Sequence, residues 1–176
     1  SKDTIDDTLK LGVASNLVPR KRIDLIITAI AALHRSDVML YVAGDGPERN
    51  KLERLVKELK VNVIFLGRLT YDQIPEFYKK IDVAIALDPI PTLNKASALE
   101  ALAAGRALIS GENGADFVIK PWGIIINPNR LENEIKAILF LVENRNIILQ
   151  MQKNAKEFAR RELTIDALVK KLTPIW

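Results

Sequence analysis

The feature that most constrains the fold of this chain is its regular alternation of short, uninterrupted apolar runs with amphipathic helical patterns. LGVAS (Leu11–Ser15), VMLYVAG (Val38–Gly44), VNVIFLG (Val61–Gly67), DVAIALD (Asp82–Asp88), ALIS (Ala107–Ser110) and GIIIN (Gly123–Asn127) read as strands. Their continuity, in place of apolar–polar alternation, means both faces are covered, as in a parallel sheet between two layers of helices. Helical patterns fill the gaps: KRIDLIITAIAALHR, ERNKLERLVKELK, and a stretch from about Tyr71 to Lys80 that Thr70 is placed to cap. In the second of these, Leu52, Leu55, Val56 and Leu59 form one apolar face, and Glu53 and Lys57 form an outward pair one turn apart. Further helices are expected near Leu131–Glu143, Asn146–Arg161 and Thr164–Lys171. The expectation is an α/β chain, an open doubly wound (Rossmann-like) parallel sheet of about six strands with helices on both faces and a helical C-terminal tail. One domain accounts for residues 1–176.

This topology locates the site before any motif is considered. In the commonest doubly wound order, strands one and four are neighbours whose chains leave in opposite directions, and ligands bind outside their carboxyl ends. The loops Asn16–Lys21 and Pro89–Ala96 therefore face one crevice.

Composition narrows the chemistry. The chain has no cysteine and one histidine, His34, which lies near the end of the first helix, where a solvated role suffices. Thiol nucleophiles, a histidine-based triad and the usual zinc ligand sets are set aside. A net charge of +4, with Lys and Arg interspersed among acids, offers no nucleic-acid stripe. No apolar run approaches the ~20 residues of a membrane span, and the polar start SKDTIDDTLK shows no leader, so a cytoplasmic setting is expected. The opening Ser1, in place of Met, reads as a processed or excised piece.

In the crevice, Lys21 stands at a helix start between Arg20 and Arg22, where unpaired N–H groups already favour an anion. A second helix start, from about Asn94 to Ala98, faces it, and together they suit a phosphate or diphosphate. Glu100 is then placed for the hydroxyls of a ribose. Ser97-x-x-Glu100 is also a capping-box pattern, which needs no ligand. From these residues alone, hook and cap both stand. The segment GDGPER has two glycines of a dinucleotide fingerprint, but Arg49 occupies the third position, so it reads as a turn. There is no G-x-x-x-x-G-K-[ST] and no D-x-D, which sets aside a Walker-type NTPase and a two-aspartate metal clamp.

LVPRKRIDLIITAIAAL, VMLYVAGDGPERNKLERLVKEL, VNVIFLGRLTYDQIPEFYKKIDVAIAL, ALEALAAGRALIS and GIIINPN occur in this order. Together they resemble the nucleotide-sugar-binding C-terminal half of group 1 glycosyltransferases of the GT-B fold, over roughly Leu11 to Arg161. The resemblance implies a nucleoside diphosphate sugar as substrate, no metal or other cofactor, and an acceptor-binding N-terminal domain as partner. It implies that Lys21 neutralises the diphosphate and Glu100 grips the ribose, and these two are the best candidates for a direct role in transfer. Gly67, Arg68 and Leu69 would rim the base pocket, Gly44 and Gly46 match the glycines after the second strand, and the amides of Asn94, Lys95, Ala96 and Ser97 would lie over the diphosphate and sugar. Two positions depart from the pattern. Asn16 stands where the family carries an arginine, leaving Arg20, Arg22 or Arg68 to compensate. Thr92-Leu93-Asn94-Lys95 replaces a Glu-Gly-Phe-Gly segment near the transferred sugar, with Lys95 able to bring a positive charge.

The implied function is donor binding in a metal-independent, retaining-type transfer of a hexose to a glycan or lipid. The alternative is a non-catalytic module that keeps the fold and has lost turnover. A sugar-nucleotide epimerase is disfavoured by the lack of cleft acids. The basic tail residues Lys153, Lys156, Arg160, Arg161, Lys170 and Lys171 suit a solvated face or contact with anionic lipid. Trp122 is expected to cover the core from a loop, and nothing in the sequence assigns Trp176.

Overall fold

The computed structural model describes residues 5–92 and 95–163. Its strands are β1 (Leu9–Ala14), β2 (Val38–Ala43), β3 (Val63–Gly67), β4 (Val83–Ala86), β5 (Ala107–Gly111), β6 (Phe117–Lys120) and β7 (Gly123–Ile126). Its helices are α1 (Ile23–Ala32), α2 (Arg49–Leu59), α3 (Ile74–Lys80), α4 (Ala96–Ala103), α5 (Leu131–Glu143) and α6 (Arg145–Glu162). The seven strands form one sheet in the order β3-β2-β1-β4-β5-β7-β6, parallel except for β6 against β7. The six expected strands are all present, and β6 is additional. It escapes a pattern reading because it is a four-residue edge strand with Val118 and Ile119 exposed.

The strands sort their side chains by size. On β4, Val83 and Ile85 join the larger core under α1, α2 and α5, while Ala84 and Ala86 face the layer containing α3 and α4. Small residues there let α3 come close to the sheet: a Cβ on Gly12 of β1 would lie 2.5 Å from the Ile81 side chain just beyond α3. α6 buries Ile148, Met151, Gln152 and Ala155. That leaves Lys153, Arg160 and Arg161 exposed and Lys156 half-exposed, as either reading of the basic tail requires. Trp122 is buried and its ring packs 6.0 Å from Phe158, covering the core from a loop as expected. The expected helix Thr164–Lys171, with Lys170, Lys171 and Trp176, lies outside the described residues.

Three local expectations are corrected. Glu53 pairs with Arg49 at 2.8 Å in place of Lys57, and Arg49 also sits over the Phe65 ring, which explains the residue that broke the glycine fingerprint. Lys21 does not open α1. It ends a 3₁₀ turn, Pro19–Lys21, and Arg22 in the left-handed region (φ 53°) separates that turn from the helix. Ser97 does not cap α4, because the helix begins at Ala96 and Lys95, in extended conformation, is the capping position, with no side-chain cap bond. Thr70 does cap, through a reciprocal box with Gln73. His34 adopts φ 49° just past α1 and is exposed. Among the described residues no helix is long and apolar enough to cross a membrane.

Candidate functional site: a crevice at the carboxyl ends of β1 and β4

β1 and β4 are hydrogen-bonded neighbours, paired Leu11 to Val83 and Gly12 to Ala84, and the chain leaves them toward opposite edges of the sheet. The crevice expected between their carboxyl ends is present, with a volume of about 460 Å³.

Its floor is a set of stitched loops. Leu17, fully buried, donates its N–H to the Asp45 carbonyl, while its own carbonyl accepts from the Glu48 N–H, each at 3.0 Å. Ser15 N–H reaches the Ala43 carbonyl at 3.0 Å, and Gly44 N–H reaches the Gly67 carbonyl at 2.7 Å. Two glycines make this contact possible. Gly44 holds φ 135°, and a Cβ there would lie 1.9 Å from the Ser15 carbonyl oxygen; at Gly46 it would lie 2.6 Å from that of Leu17. Gly44 lines the crevice, whereas Gly46 and Gly67 do not. Their importance is the close approach of backbones.

Leu69, Ile74 and Ile90 give the lining its large apolar side chains, Leu69 next to the exposed Arg68. Other lining residues are charged. Arg20 Nη1 and Lys21 Nζ both bind Oδ2 of Asp88, at 2.9 and 2.7 Å. Asp88 is 3% exposed and its Oδ1 has no hydrogen-bond partner. Asn16 is exposed on the same rim, lining the crevice with a neutral amide.

The start of α4 closes the site. Ala96, Ser97 and Glu100 line the crevice, and helix geometry leaves the first N–H groups without intrahelical partners. Glu100 is exposed and accepts a hydrogen bond from the Tyr78 hydroxyl at 3.2 Å, so its carboxylate is not used in a capping box. Lys95 also lines the crevice yet is only 4% exposed. Its Nζ donates to Ser110 Oγ at 3.0 Å and to the Gly111 carbonyl. Burial lowers its pKa to about 8, against the opposing pull of Glu112 and Asp88. Thr92 is turned inward, 4% exposed, its hydroxyl bonded to Ser110 Oγ at 2.8 Å and to Glu112 Oε1 at 2.7 Å. Burial alone would raise the Glu112 carboxyl, but the Thr92 N–H and hydroxyl, with Lys95 and Lys120, hold it below the ordinary value.

Residues 2–160 match the family described as glycosyl transferases group 1. The chain belongs to the group 1 glycosyl transferases. An uncharacterized glycosyltransferase of Methanocaldococcus jannaschii is 25% identical over 182 residues, covering 99% of this chain and 46% of the relative. A GDP-mannose-dependent alpha-(1-6)-phosphatidylinositol monomannoside mannosyltransferase of Mycobacterium tuberculosis is 26% identical over 175 residues, covering 90% of this chain and 44% of the relative. The glycosyl transferase described here thus spans less than half the length of either. The crystal structure of HepE from Anabaena in complex with UDP superimposes with a TM-score of 0.81 at 18% identity, over 96% of this chain and 48% of that one, which establishes a shared fold.

Of the residues singled out from this family's pattern, the structure brings Asn16, Arg20, Lys21, Gly44, Arg68, Leu69, Lys95, Ala96, Ser97 and Glu100 to one crevice. Thr92 is buried, Gly46 and Gly67 are not among the lining residues, and Asn94 lies outside the described residues. Sequence reasoning missed Asp88 and Tyr78. Asp88 carried a signal, an acid at the carboxyl end of an apolar strand beside the switch point. Tyr78 carried none, since an aromatic on a helix face reads as core.

Proposed function

We propose that this group 1 glycosyl transferase chain binds a nucleoside diphosphate sugar in the crevice and is the donor half of an enzyme that transfers a hexose to a glycan or lipid acceptor. The observation that carries the proposal is Glu100. It is a carboxylate just beyond the first turn of α4, free of any capping role, lining the same crevice as Lys21 and Arg20. In this reading, Glu100 accepts the ribose hydroxyls, Leu69 and Ile74 after β3 take the base, and Lys21 with the α4 N-terminus takes the diphosphate.

The chain's contribution to transfer is then electrostatic. As the bond between the anomeric carbon and the diphosphate oxygen breaks, negative charge grows on that oxygen, and the α4 N–H groups, with Lys21 drawn from Asp88, would stabilise it. Glu100 and the residues taking the base fix where the anomeric carbon lies. The positive charge is read as protein-borne, so a metal-independent transfer is proposed; retention is proposed on the family resemblance alone. An acceptor-binding partner domain is proposed to complete the cleft, in line with the fraction of its relatives' length that the chain spans.

Calorimetric titration with UDP, GDP and ADP, each in magnesium and in EDTA, tests this reading. One nucleotide should bind preferentially and equally in both buffers. Glu100→Gln and Lys21→Met should each weaken it by about 10- to 100-fold, the loss of one or two charge-assisted bonds. The second reading, a module without turnover, draws on Thr92, whose hydroxyl is committed to Glu112 and Ser110 where the family places a carboxylate. It predicts the same nucleotide binding with no hydrolysis or transfer from the matching sugar nucleotide once the partner domain is supplied.

A further inference from the structure

Glu100 is exposed on the crevice side of α4, and an exposed glutamate side chain is free to sample many rotamers. Behind it lies Tyr78 of α3, 3% exposed. The Tyr78 hydroxyl is 3.2 Å from Glu100 Oε2 and 3.3 Å from the Ser97 carbonyl oxygen. Its single proton is shared between two acceptors on the same turn of α4. The tyrosine ring cannot follow if Glu100 moves, because it packs edge-on against Phe77, with centroids 5.2 Å apart and planes at 67°, and Phe77 is itself 2% exposed. Among the described residues, Tyr78 is the side chain that hydrogen-bonds Glu100.

We propose that Tyr78 is a positioning residue for the donor nucleotide: its buried hydroxyl fixes the Glu100 carboxylate in the rotamer that meets the ribose hydroxyls. The inference rests on the ribose-hook reading of Glu100. Its physical basis is preorganisation: a carboxylate already held by one rigid donor loses less rotamer freedom when a diol binds. Bonding of Oε2 to the phenol leaves Oε1 and the remaining lone pairs for the ligand. Burial, followed by the Glu100 charge, pushes the phenol well above its ordinary pKa, so it remains a donor throughout the physiological range.

The test uses the intact chain and measures the affinity of UDP, GDP and ADP, each beside its 2′-deoxy counterpart, by calorimetry. The quantity read is the ribose-over-deoxyribose preference, which core packing does not move. Tyr78→Phe keeps the ring and removes the hydroxyl. The expected result is a ribose preference in the wild type that is lost in Glu100→Gln and reduced about three- to tenfold in Tyr78→Phe, with no further loss in the double variant. A Tyr78→Phe chain that keeps the full preference, or one that loses affinity for ribose and deoxyribose forms alike, overturns the positioning role while leaving the hook intact. A wild type without any ribose preference, or one whose preference survives Glu100→Gln, overturns the hook and with it the role of Tyr78. Thermal unfolding of each variant confirms that the protein measured is folded.

Discussion

Lys95→Met removes a cation that is 4% exposed and whose pKa burial lowers from 10.5 to about 8. At 1.36 kcal/mol per pH unit, that fall corresponds to about 3 kcal/mol of free energy by which folding disfavours the charged amine. The sign follows from proton binding. Between pH 8 and 10.5 the unfolded chain holds this proton and the folded chain has released it, so wild-type stability rises with pH across that window. Below pH 8 both states are protonated and the full penalty is present. The substitution removes the penalty, but it also removes the donors to Ser110 Oγ and the Gly111 carbonyl. The lost donors cost about 1–3 kcal/mol, softened because Ser110 keeps Thr92. Near pH 7 the two effects oppose each other, and the variant should lie within ~2 kcal/mol of the wild type. By pH 10.5 the wild type has gained about 3 kcal/mol relative to the variant. At about 2–4 °C per kcal/mol for a chain of this size, the difference in unfolding temperature should move by roughly 6–12 °C. Differential scanning fluorimetry of both proteins from pH 6 to 10.5 reads this difference, in which other titrating groups cancel. A difference curve that stays flat between pH 8 and 10.5 would refute the claim that a buried, poorly compensated ammonium sits beneath the crevice.

Two further outcomes follow from the same kind of reasoning. Glu134, 2% exposed with both carboxylate oxygens unpartnered, is raised by burial from 4.5 to about 7. Its contribution is fully present below pH 4.5 and lost as pH rises through 7, so Glu134→Gln should gain up to about 3 kcal/mol on the wild type across that window, measured by urea unfolding; a constant gap would sink the idea. Asp88 competes with any anion for Arg20 and Lys21, so Asp88→Asn should tighten nucleoside diphosphate binding by on the order of tenfold at low salt, with a smaller gain at high salt. Weaker binding would show instead that Asp88 aims the two cations.

The fold was legible in the sequence because many residues vote on each element. Six apolar runs separated by helical patterns leave few arrangements besides a doubly wound sheet, and the order β3-β2-β1-β4-β5-β7 is the one that pattern implies. β6 was not legible, since Phe117–Lys120 has neither burial nor length to set it apart from the loop before β7. The position of the crevice was equally legible, as it follows from topology alone. The start of α4 was misread for a different reason. Ser97 has the better capping chemistry, but Lys95 is bound to the end of β5 by two hydrogen bonds, and that tertiary anchor starts the helix two residues earlier than a Ser97 cap would. The change matters for function, because a Ser97 cap would have drawn Glu100 back toward its own backbone.

What the sequence withheld is the charge balance of the crevice, because that balance is set by pairs far apart in the chain. Asp88 meets Arg20 and Lys21 across 68 and 67 residues. Thr92 meets Glu112 across 20. Read along the chain, Lys21 is a free cation awaiting a phosphate; in the fold it shares the single negative charge of Asp88 with Arg20, so the pair keeps one net positive charge. Asn16 adds no charge to the same rim. An anionic ligand must therefore bring its own advantage over a carboxylate that is in place beforehand. A diphosphate does so through number: it offers several oxygens to Lys21, to Arg20 and to the N–H groups of α4 at once, whereas Asp88 reaches the two cations through a single oxygen. On that basis the crevice should bind nucleoside diphosphates more tightly than the matching monophosphates, a preference that calorimetric titration with each pair reads directly.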